Sequence, residues 1–136
     1  MKLSVMILGA AALSAASADL MAEEQVGVSP MLCAVTLTVS CDSAGDCIEG
    51  PASAVNLPVF VKFDPESKSV ESARESGDRR TSNIDYVADV GDSIVLLGDE
   101  QDSGWSATVT KSTGDFTATI SEQGMGYIIF GSCLSD

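Results

Sequence analysis

The chain has 136 residues, with 20 acidic against 7 basic side chains, four cysteines and no histidine. A formal net charge of −13 argues against nucleic acid and anionic membrane surfaces as partners and in favour of a cationic protein, unless the acidity only keeps the chain soluble. Without histidine, Ser-His-Asp and Cys-His mechanisms are excluded and the commonest metal ligand is missing, so neither an enzyme nor a bound metal or cofactor is expected.

Lys2, the apolar run Leu3–Ala16 and the small-x-small sequence Ala16-Ser17-Ala18 stand in the order of a secretory signal peptide. That run is 14 residues long, shorter than the roughly 20 that a membrane-spanning helix needs. Cleavage near Ala18 is therefore expected to leave no membrane anchor, and the mature chain of 118 residues is expected in the periplasm or secreted. Losing Lys2 takes its formal charge to −14. Cys33 follows Pro30-Met31-Leu32, which is not the small-residue context of a lipoprotein acylation site. The mature length suits one domain. Asp19–Pro30 has no sustained period, so residues 19–32 are expected to be a flexible arm and 33–136 a single β domain.

The domain reads as strands from its start. Val35, Leu37 and Val39 alternate with Thr36 and Thr38, the period of a half-buried strand. Cys41–Ala54 is a loop by composition, broken by Gly45, Gly50 and Pro51. Leu57, Val59, Val61 and Phe63 form the next apolar face, with Pro58 predicting an edge position or a strand that begins just after it. Asp64-Pro-Glu-Ser67 is a turn, with a short strand returning near Lys68–Glu71. Arg74–Arg80 is the most charged connection and holds three of the six basic residues of the mature chain. Ile84, Tyr86 and Ala88 mark a further strand before the Asp89–Asp92 turn.

The clearest pattern follows. Ser93–Gly98 is a short apolar run; Trp105, Ala107 and Val109 then alternate with polar residues, as do Phe116, Ala118 and Ile120, and Tyr127–Phe130 closes the series. Lys111–Asp115 is a hairpin loop in which Gly114 supplies the positive φ of a tight reversal. About eight strands are predicted, near 34–40, 57–63, 68–72, 80–88, 93–98, 105–110, 116–121 and 127–132. Their short connections fit an all-β, up-and-down antiparallel sheet, closed as a small barrel or folded as a sandwich. An even number of cysteines in an exported chain predicts two disulfides. Of three possible pairings, Cys41–Cys47 with Cys33–Cys133 joins a tight local loop and ties the first strand to the last, as barrel closure requires.

Few residues stand out as a site. Asp99, Gln101, Ser103 and Gly104 match early positions of a calcium loop, but Thr110 stands where a bidentate Glu is needed and strands flank it, so a hairpin is expected. Trp105 is the single tryptophan; its alternating face predicts core packing, and a ligand-stacking surface at a barrel mouth is the other role open to it.

The signal peptide, the early Cys33, the Thr113-Gly114 hairpin and the closing Phe130-Gly-Ser-Cys133 resemble small exported all-β bacterial proteins of unknown function. Ser76-Gly77 followed by Arg79 is similar to the loop of the periplasmic and membrane-bound inhibitors of c-type lysozyme, exported eight-stranded barrels with a terminal Cys bridge. The chain departs from that pattern at Arg80, where Tyr is expected, and at Gly91-Asp92, which lacks a preceding Lys. The resemblance implies that Ser76 hydrogen-bonds the lysozyme's catalytic carboxylates and Arg79 pairs with one of them. The sequence thus predicts a secreted, non-enzymatic binding protein. Its site is either the Ser76–Arg80 loop, as an inhibitor, or an interior cavity near Trp105, as a carrier of small apolar ligands.

Overall fold

The computed structural model describes residues 28–73 and 77–135; the signal-peptide segment, arm residues 19–27 and Ser76 lie outside them. Among the described residues there are nine strands: β1 (Met31–Asp42), β2 (Cys47–Gly50), β3 (Phe60–Asp64), β4 (Ser69–Ala73), β5 (Arg79–Val90), β6 (Ser93–Glu100), β7 (Ser103–Thr110), β8 (Asp115–Glu122) and β9 (Met125–Ser135). From β3 onward each strand pairs antiparallel with the next. β1 pairs with β3 along one edge and with β9 along the other, closing an eight-stranded up-and-down barrel. Closure leaves no long unpaired edge in the wall. The short β2 pairs with the second half of β1, beyond the reach of β3.

Both disulfides are cross-strand: Cys33 and Cys133 face each other in the β1–β9 ladder, and Cys41 faces Cys47 between β1 and β2. The first ties the seam of the barrel across 100 residues of sequence, whereas the second spans only 6.

Alternation makes the core. Ile94 and Leu96 of β6, Ala107 and Val109 of β7, Phe116 and Ala118 of β8 and Ile129 of β9 all turn inward and are buried. Their outward neighbours on β7 and β8 are Ser and Thr, with Ser106 and Thr119 hydrogen-bonded across the strands at 2.7 Å. Outside β1 and β9 the pairing is apolar instead, with Leu32 opposite Leu134 and Leu37 opposite Phe130.

Four sequence expectations change. The stretch to residue 32 is not all arm, because β1 begins at Met31, and Met31 and Val28 are buried; Met31 sits between Phe63 of β3 and Ser135 of β9, partners remote in sequence. Within the expected loop 41–54, Cys47–Gly50 forms β2 and Ala52–Val55 a single 3-10 turn; four residues without apolar alternation carry no strand signal until β1 offers an edge. Val35, Leu37 and Val39 do not share a face. A β-bulge between Val35 and Leu37 flips the strand, so Leu37 is exposed and Thr38 is fully buried. A second bulge, between Ile84 and Tyr86, does the same in β5: Ile84 is buried and Tyr86 is outside.

Candidate functional site

The two ends of the barrel are built differently. One end collects the β3–β4, β5–β6 and β7–β8 turns and the start of β1. There Val28, Met31, Ile94 and Val109, each at most 9 % exposed, form a packed floor under a surface hollow of about 450 Å³ rimmed by Asp89 and the Thr110–Gly114 turn. Gly114 has the left-handed φ of +77° that the sequence anticipates, and its amide donates to the Thr110 carbonyl at 2.7 Å. Phe63 lies further in, with its ring centroid 5.7 Å from Phe116 and 6.0 Å from Trp105.

The opposite end collects the β6–β7 and β8–β9 turns, β2 and the 3-10 turn. It holds a cavity of about 440 Å³ to which all eight barrel strands contribute. Its lower wall is apolar: Val35, Val61, Trp105 and Ile120 are only partly buried and pack onto the core below. Trp105 can lie flat across the wall because the residue opposite it on β6 is Gly98, where a Cβ would collide with the indole. Leu57 and Pro58 overhang the cavity from the segment after the 3-10 turn. That overhang is fixed by backbone bonds, Leu57 N–H to the Ala52 carbonyl at 2.9 Å and Val35 N–H to the Val59 carbonyl at 2.8 Å. Thr38 supports it from below, donating to the Gly50 carbonyl at 3.0 Å.

Above the apolar wall runs a polar collar. The Arg80 guanidinium pairs with Glu100 Oε1 at 3.1 Å, and the Ser82 hydroxyl donates to Glu100 Oε2 at 2.7 Å. On the other side of the cavity Tyr127 and Glu122 both line the space. Hydrogen bonding toward the Glu122 carboxylate, with partial burial second, raises the phenol above its ordinary value of 10.0. Such an arrangement, an apolar wall below and hydrogen-bonding groups at the rim, suits a small molecule with an apolar body and a polar head.

The sequence-selected residues fall in different places. Trp105 is in the cavity wall, partly buried and packed against the core. Arg80 lines the cavity, while Arg79, its neighbour on β5, is exposed and does not; the two arginines meet instead in a surface hollow with Phe60, Lys62 and Glu71. Gly77 is exposed with a φ of +85°. Asp99 to Gly104 spans the β6–β7 hairpin, with Gln101 and Asp102 at its tip. Among the described residues no group of three or more Cys, Asp or Glu side chains is placed to hold a metal ion.

Sequence reasoning missed Ser82, Glu100, Glu122 and Tyr127. A signal was present: Glu100 continues the inward period of Ile94, Leu96 and Gly98, and Glu122 that of Phe116, Ala118 and Ile120. A carboxylate at the end of an apolar face marks the place where the interior meets water.

The site and fold together define a small closed β-barrel with one packed end and one end open as a cup. The sequence matches no protein-family model, and comparison with curated proteins gives no match.

Proposed function

We propose that this is a secreted, non-enzymatic binding protein that takes a small molecule with an apolar body into the open end of its barrel. The observation that carries this is the set of partly exposed apolar side chains, Val35, Leu57, Val61, Trp105 and Ile120, inside a barrel whose other end is packed. Covering them with a ligand removes apolar surface from water at about 25 cal/mol per Å² before the costs of association. Export is supported by the basic, apolar and small-residue order of residues 1–18 and by the two disulfides, and the absence of histidine supports a role other than catalysis.

Trp105, the single tryptophan, reports on the cavity directly. Titrating the oxidised mature protein with 1-decanol should give a saturable, one-to-one blue shift of its emission. Val61→Phe, which fills the cavity, should remove that response with the circular dichroism spectrum unchanged. An emission spectrum indifferent to decanol up to its solubility would overturn the reading. So would inhibition of c-type lysozyme that is lost in Ser76→Ala or Arg79→Ala, which would move the site to the 76–80 loop.

A further inference from the structure

Resting on the cavity reading, we propose that the ligand carries a cationic head, an amine or ammonium group on an apolar body, seated against Glu122 with the body over Trp105. Which charges of the collar are already paired decides the sign of the head. Among the described residues lining the cavity, Arg80 is the one cation, and Glu100 already holds it at 3.1 Å. Ser82 fixes the second oxygen of Glu100 at 2.7 Å. An anionic head reaching for Arg80 comes to lie beside the Glu100 carboxylate that already holds it, and two anions side by side are costly wherever water is partly excluded.

A cationic head meets no such barrier. Glu122 lines the cavity together with the uncharged Tyr127, and among the described residues no cation is paired with it. An ammonium group can donate to Glu122 without displacing an ion pair, making a charge-assisted contact. The indole face of Trp105 adds attraction for the same sign of charge. At longer range, 20 acidic against 7 basic residues raise the local concentration of cations over the whole surface.

Three probes with the same ten-carbon chain separate head from body: decylammonium, 1-decanol and decanoate, each titrated below micelle formation at neutral pH and followed by Trp105 emission and calorimetry. Decylammonium should bind at least about tenfold tighter than decanol, as a charged hydrogen bond predicts, and decanoate more weakly than either. Glu122→Gln should bring decylammonium down to the affinity of decanol and leave decanol unchanged. Glu66→Gln, in the β3–β4 turn at the packed end, should alter neither, which separates the site from diffuse attraction to an acidic surface. Equal binding of amine and alcohol, or a preference for decanoate, would overturn the cationic head and leave the cavity reading standing. Failure of all three probes to bind would remove both.

Discussion

The packed and open ends of this barrel are made by the same eight strands, and they differ in what the inward positions carry. Toward the packed end the inward positions are mostly apolar and buried, from Met31 and Cys33 through Ile94, Val109 and Cys133, with the polar Asp89 and Ser135 at the margin. Toward the open end the same alternation runs out into Ser72, Arg80, Ser82, Glu100, Ser103 and Glu122, which cannot close over one another as a dry core. Buried core is therefore concentrated at one end and partly exposed apolar surface at the other, the arrangement that the proposed binding role requires of a rigid scaffold.

The two disulfides give the largest test of that division. Replacing Cys33 and Cys133 with Ser removes a link across 100 residues and should cost about 4 to 5 kcal/mol in urea unfolding. The corresponding Cys41 and Cys47 double variant opens a link across 6 residues beside the cup and should cost about 2 kcal/mol. Equal costs would break the comparison. Core truncations sharpen it at the next scale. Leu96→Ala, at a fully buried position, should cost about 2 to 5 kcal/mol. Ile120→Ala, in the partly exposed cavity wall, should cost about 1 kcal/mol and instead weaken decanol binding.

The smallest expected effects are those of pH, and they differ in sign between the ends. At the open end, the Tyr127 phenol is raised above 10.0 by hydrogen bonding toward Glu122, so the folded state holds this proton more tightly than the unfolded chain. Its stabilisation is complete below about pH 10 and is lost as pH rises through the raised value. Tyr127→Phe should remove that part of the alkaline loss in stability. In the β3–β4 turn at the packed end, Asp64 lies below 3.8 because it accepts the Ser67 amide, at 3.1 Å, and the Ser67 hydroxyl. Its stabilisation is present above the ordinary carboxylate range and is lost as pH falls through the lowered value. Asp64→Asn should flatten the acid limb of a stability profile while leaving the alkaline limb as it is.

Much of the scaffold was legible because its signals are local. The alternations around Trp105 and Phe116 placed β7 and β8, and the Lys111–Asp115 hairpin stands where Gly114 allowed it. The pairing favoured among the three possible, joining the first strand to the last, is the one the closed barrel holds. The cup was less legible. Arg80 stood at the expected start of a strand and the end of a charged loop, and nothing in residues 74–80 reveals that its side chain turns inward toward Glu100. Val35 and Leu37 read as neighbours on one face because a bulge leaves no mark in a run of alternating residues.

By itself, then, the sequence determined the all-β class and most of the strands and favoured one disulfide pairing of three, since period-two patterning, turn residues and cysteine order are properties of the chain taken a few residues at a time or in simple succession. Only the tertiary structure decided that the sheet closes, where it bulges, and that one end is filled while the other is open. Those outcomes depend on which side chains from strands remote in sequence meet inside the barrel, and on whether together they can pack without water.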